Sequence, residues 1–141
     1  MHTTTTAATV PDIKLGRTRA LCAVGGALAA GLAWIVEVPL LGIHLNYRFG
    51  TGSIQTIAVG QVIGVTLAAS LLGWLLLALL ERRTPRARLL WTAIALAALT
   101  VSLALPLTAA TTGSAVAGLI VMHLTVGAAV IPAMARTARA R

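Results

Sequence analysis

Four apolar stretches, each about the length that crosses a bilayer, constrain this chain more than any motif it carries. A membrane helix needs about 20 residues at 1.5 Å rise. The stretches run over residues 20–41, 54–80, 89–110 and 114–135, approximately. The first is interrupted only by Glu37 and Pro39, and the second stops at Glu81-Arg82-Arg83. Proline resets the chain at Thr84-Pro85-Arg86. The link Thr111-Thr112-Gly113 is short and uncharged, and short connections make neighbouring helices antiparallel. The sequence therefore predicts an all-α integral membrane protein, an up-down-up-down bundle of four transmembrane helices. Residues 17–136 form that domain, preceded by a mobile Thr-rich tail (1–16) and followed by a basic tail (137–141).

Composition agrees. Only 10% of the 141 residues are charged, 58% are hydrophobic, and the mean hydropathy is +0.93. Soluble domains carry about 25% charged residues, and a water-exposed surface could not be covered with so few. A water-soluble enzyme, a disordered tail and a disulfide scaffold are excluded. Lys14, Arg17 and Arg19 precede the first stretch, but that run is too long for a signal-peptide core and no A-x-A-like site closes it. It reads as a retained helix.

The formal net charge is +8, which in a soluble protein would suggest a nucleic-acid surface. Here ten of the eleven basic residues flank the spans on one side: Lys14, Arg17, Arg19, then Arg82, Arg83, Arg86, Arg88, then Arg136, Arg139, Arg141. Arg48 stands alone on the other. The positive-inside rule places both termini in the cytoplasm. Anionic lipids are the expected partners of these clusters, and no nucleic acid is expected. The single Cys22 forbids an intramolecular disulfide and reads as a small packing residue. Trp34, Trp74 and Trp91 lie toward span ends and read as interfacial anchors.

The segments Leu72-Gly73-Trp74 through Glu81-Arg82-Arg83, Ser102 through Thr112 with its Ser-x3-Pro at 102–106, and Met122-His123 through Ile131-Pro132 form a succession. It resembles a family of small four-helix integral membrane proteins found mainly in actinobacteria, a domain of unknown function. The likeness spans roughly Arg17 to Arg136. It implies this architecture and a bacterial plasma membrane, and it implies no activity. Small multidrug-resistance transporters are similar in architecture alone, being short four-helix proteins with a glutamate on the first helix. Glu37 departs from their pattern by lying toward the outer end of its helix, and the charge bias fixes a single orientation.

A polar side chain in hydrocarbon is costly unless paired, so each one invites a functional reading. Helical spacing puts Glu37 on a face with Gly26, Ala30 and Ala33. Gln61 shares a face with Gly64 and Ala68, Ser102 with Ala95, Ala98 and Pro106, and His123 with Leu119 and Gly127. Small residues let membrane helices approach, and polar groups then bond across the contact. Counted from the outer ends, the four lie at depths of about 6–10 Å (Glu37), about 10 Å (Gln61), about 12 Å (Ser102) and about 13 Å (His123). They are expected to converge on a polar pocket open to the outside, with His44 and Arg48 at its mouth and Arg48 pairing with Glu37. Histidine titrates near neutral pH, so Glu37 and His123 form a candidate proton-linked pair. The plainer reading makes Gln61, Ser102 and His123 interhelical glue, worth about 0.6 kcal/mol each.

Gly60-x3-Gly64 is a close-packing motif and, with Gly26 and Ala30, a candidate contact for a homo-oligomer. Pro39, Pro106 and Pro132 read as shaping their helices. No His or Cys spacing suits a metal, and no Walker loop, dinucleotide fingerprint or Gly-x-Ser-x-Gly elbow occurs. No catalytic residue, metal or cofactor is assigned. Three functions stay open. The first is binding or passage of a small hydrophobic or cationic molecule through the pocket of a homo-oligomer. The second is a structural or accessory membrane subunit. The third is a small intramembrane enzyme acting on a lipid or isoprenoid through Glu37 or His123.

Overall fold

The structure, a computed structural model, describes residues 13–139. The expected tails fall mostly outside the described residues. From Ile13 onward the described chain is already helical.

Alanine- and leucine-rich sequence builds long helices. Helix α1 (Ile13–Ile35) runs into a π-helical turn (Val36–Leu40). Helix α2 spans Val59–Arg83, α3 spans Ala87–Ser102, α4 spans Ala104–Ala109 and α5 spans Gly113–Arg136. Among the described residues, four helical stretches are long and apolar enough to cross a membrane: Ile13–Leu40, Val59–Arg83, Ala87–Ala109 and Gly113–Arg136. Helix α1 packs on α2 and α5, and α3 packs on the same two, so the bundle closes as a ring. Small residues set the close approaches. A Cβ built on Gly127 of α5 would stand 2.6 Å from Leu99 Cδ2 of α3. Gly26 of α1 lies against Val130, Thr66 and Ser70, and Ala30 is fully buried. Gly26 and Ala30 therefore serve contacts inside the bundle.

Two clusters form the interior. One end holds Ala30, Leu45, Val62, Leu119 and Met122; the other holds Leu77, Trp91, Met134 and Ala135. Outward-facing leucines and valines such as Leu28, Leu32, Val65, Leu72, Leu89 and Val101 cover the exterior. Between helices in hydrocarbon the attraction is packing and hydrogen bonding rather than release of water, which is why the glycine contacts matter.

Two prolines explain the irregularities. Pro39 has no N–H and its ring clashes with the carbonyl four residues back. The helix widens there, and Leu41 N bonds Val36 O at 3.0 Å, five residues away. Gly42 follows with φ 66, a left-handed conformation that favours glycine, and ends the helix. Pro106 cannot donate to the carbonyl of Ser102. The third span breaks at Leu103 and resumes as α4, with Pro106 in its first turn, where backbone N–H groups lack intrahelical partners anyway. Pro132 is accommodated within α5.

The second helix starts at Val59, later than residue 54, because the intervening apolar residues belong to a loop. Strand β1 (Asn46–Tyr47) pairs antiparallel with β2 (Gln55–Thr56), in register Asn46 with Thr56 and Tyr47 with Gln55. Ile57 N donates to Leu45 O at 3.0 Å, and the Trp34 indole N–H donates to Ile57 O at 3.0 Å. Arg48 N donates to Ala109 O and Thr111 N to Asn46 O, tying the loop to the α4–α5 junction. Thr112 caps α5, its Oγ1 accepting from Ala115 N at 3.2 Å. Trp91 is not an anchor at the surface. It is buried, and its indole donates to Gly73 O on α2 at 2.7 Å, since a buried indole N–H needs an acceptor.

Candidate functional site

Glu37 stands out once the helices are assembled. It sits on the π-helical turn and is 4% exposed. Neither carboxyl oxygen has a hydrogen-bond partner among the described residues. Three elements enclose it. The π turn carries it, and its own backbone carbonyl accepts from Ile43 N at 2.9 Å, which folds the loop back over it. Leu45, fully buried, comes down from that loop. Gly118 of α5 forms the third wall: a Cβ there would lie 3.1 Å from Glu37 Oε2, 2.9 Å from Leu45 Cδ2 and 3.4 Å from Ile43 Cγ2. The missing side chain at Gly118 is the space in which the carboxyl rests.

The other candidates do not join it. Gln61 lies in the first turn of α2, exposed, and its Oε1 accepts from Ala58 N at 2.9 Å. It caps the helix, because the helix starts later than the hydropathy pattern suggests. Ser102 Oγ donates to Leu99 O at 2.7 Å, on its own helix at the proline break. His123 Nδ1 lies 2.6 Å from Leu119 O, also within its own helix. His44 and Arg48 are exposed in the loop. The expected Arg48–Glu37 pair is not formed, since both Glu37 oxygens are unpartnered and the Arg48 backbone is fixed to Ala109. A pocket of four polar groups thus contracts to a single enclosed carboxyl. Gly60 and Gly64 are exposed on α2, with nothing within 4 Å of a Cβ at either.

A second polar cluster, missed from the sequence, occupies the opposite, basic end. The Arg19 side chain, expected only as a flanking charge, is buried; its guanidinium donates to Glu81 Oε1 at 2.6 Å, Thr137 Oγ1 at 3.0 Å and Thr137 O at 3.0 Å. Arg139 N donates to Glu81 Oε1 at 2.8 Å. Thr137 Oγ1 in turn donates to Met134 O at 2.7 Å. The start of α1, the end of α2 and the segment after α5 are thereby joined. The available signal was Glu81 itself, one of only three acidic residues and set directly beside arginines.

Chemically, the two ends differ. At the basic end the buried Arg19 and Glu81 answer one another within the fold. At the loop end a carboxyl is withdrawn from water with nothing fixed to answer it, and a buried carboxylate requires a counter-charge, either a proton or a cation.

No curated protein and no solved structure matches the chain. The model of one family, described as "Family of unknown function (DUF6069)", matches residues 11–140, the whole bundle with its loop and both polar ends. A chain matched over nearly its full length in this way belongs to the DUF6069 family.

Proposed function

We propose that this protein is a multi-pass protein of the bacterial plasma membrane that binds a small hydrophobic cation at Glu37, in exchange for a proton, within a homo-oligomer. Both termini are cytoplasmic in this reading, because ten of eleven basic residues flank the spans on one side. The spans run up, down, up and down, which puts Glu37 near the outer surface. The observation that carries the reading is the enclosed carboxyl with both oxygens unpartnered. A proton neutralises it when the site is empty, and an organic cation with apolar flanks replaces the proton when Leu45 and Ile43 move aside. The side chains over the carboxyl, Leu45 and Ile43, are apolar, which suits a hydrophobic cation better than a hydrated metal ion. Gly60 and Gly64, open on the outer face of α2, supply a close-approach surface for a second copy.

The test is binding of tetraphenylphosphonium to the purified protein in detergent micelles. The parent is expected to bind, more weakly as pH is lowered because proton and cation compete for one carboxyl. Glu37→Gln should weaken binding by about tenfold or more, the equivalent of 1.4 kcal/mol, whereas Ser102→Ala and His123→Gln should leave it unchanged. Equal binding by the parent and Glu37→Gln overturns the reading.

The accessory-subunit reading has its own support in the local bonding of Gln61, Ser102 and His123. It predicts no cation binding by the parent. The enzymatic alternative draws no support from Glu37 and His123, which share no hydrogen bond.

A further inference from the structure

The basic end carries a half-open cleft of about 290 Å³ beside the buried ion pair. Its floor is Arg19 with Glu81, its rim is Arg82 and Arg139, and one wall is apolar, made by Leu15, Trp74 and Ala78. Three arginines against one glutamate leave the cleft strongly positive, even with Glu81 engaged by the Arg19 guanidinium at 2.6 Å and by the charge of Arg139. Gly16 keeps the wall low, with the Trp74 ring 4.0 Å from where its Cβ would be. The apolar wall continues toward the exposed leucines Leu71 and Leu75 of α2, on the exterior that hydrocarbon covers.

The geometry points to a discrete binding site for a phosphate ester in this cleft, with the headgroup of an anionic phospholipid as its occupant. Guanidinium groups match phosphate oxygens in charge and fork geometry. The tryptophan-bearing wall suits the glycerol and first methylenes of a lipid lying at the membrane interface. A diffuse basic surface would attract anionic lipids through all its arginines alike. This cleft instead predicts that Arg82 and Arg139 outweigh the other arginines at the same end. The site is separate from Glu37, at the opposite end of the bundle, and stands whether or not a cation binds there.

Two double variants with equal loss of charge test it: Arg82→Gln with Arg139→Gln, and Arg83→Gln with Arg88→Gln, neither of the latter lining the cleft. Native mass spectrometry of the full chain, released from micelles holding phosphatidylglycerol or phosphatidylcholine, counts the lipids retained. The parent is expected to retain one phosphatidylglycerol in preference to phosphatidylcholine. The Arg82/Arg139 pair should lose affinity for it by about tenfold more than the Arg83/Arg88 pair. Equal losses in the two pairs, or no preference for phosphatidylglycerol in the parent, overturn the site. Competition with sn-glycerol 3-phosphate separates the sources. Lipid retained against millimolar glycerol phosphate supports the phospholipid, whereas displacement supports the phosphate site and overturns the lipid as its occupant. Unchanged melting temperatures in both pairs exclude loss of fold as the cause.

Discussion

Glu37 and Glu81 are both drawn into helical spans, and their surroundings are opposite. Glu81 takes a guanidinium hydrogen bond from Arg19 and a backbone N–H from Arg139. Glu37 takes none and rests against the bare α-carbon of Gly118 and the side chain of Leu45. Burying a charge costs several kcal/mol unless partners replace water. At Glu81 those partners are fixed parts of the fold, so removing one should break structure. At Glu37 they are absent, so the residue adds nothing to stability that a neutral side chain would not.

The comparison can be broken at either end. The largest effect is expected from Arg19→Met, which takes from Glu81 its guanidinium partner and from Thr137 two hydrogen bonds; unfolding in detergent, followed by circular dichroism, should show a loss of about 3 kcal/mol. A loss below about 0.5 kcal/mol would put Glu81 in the same class as Glu37. Next is Gly118→Ala, whose methyl would press on Glu37 Oε2 and Leu45 and should cost about 1–3 kcal/mol. In a double-mutant cycle with Glu37→Ala, much of that cost should vanish; additivity would mean that the carboxyl does not rest there. Trp91→Phe keeps the ring but forfeits the bond to Gly73 O, for an expected loss of about 1 kcal/mol in the same assay. Glu37→Gln should shift stability by less than about 1 kcal/mol in either direction, in contrast to Arg19→Met. The smallest effect is expected from Gly64→Leu, which meets no neighbour within the bundle. It should leave secondary structure and melting unchanged to within about 0.5 kcal/mol, while lowering the mass of any assembled species seen by light scattering.

Four spans were legible because hydropathy over about 20 residues is a local property of the sequence. Ser102 and Pro106 together marked a place where the third helix had to adjust, and the break at Leu103 follows from the missing proline donor. Less legible were the features set by partners far along the chain. Ile54 and Ile57 are as apolar as any span residue, so nothing local says that they belong to a loop. Arg19 looks like any flanking charge, and its burial depends on Glu81 and Thr137 arriving beside it. Glu37 was legible as the acid within the first span, but its company was not. Gln61, Ser102 and His123 each found an acceptor or donor on or beside their own helix, because a backbone group one turn away is the nearest partner a polar side chain has in hydrocarbon. Gly118, the wall that makes room for the carboxyl, carried no signal beyond being small.

The ion pair at the basic end also has a consequence for how the protein is made. Arg19 belongs to the first span to be synthesised, yet its carboxylate partner lies 62 residues later and its threonine partner 118 residues later. Until those residues leave the ribosome, the guanidinium has to stay in interfacial water and α1 cannot seat fully. The first helix therefore completes its docking after the last, so a chain released before Thr137 carries an arginine that the membrane cannot conceal.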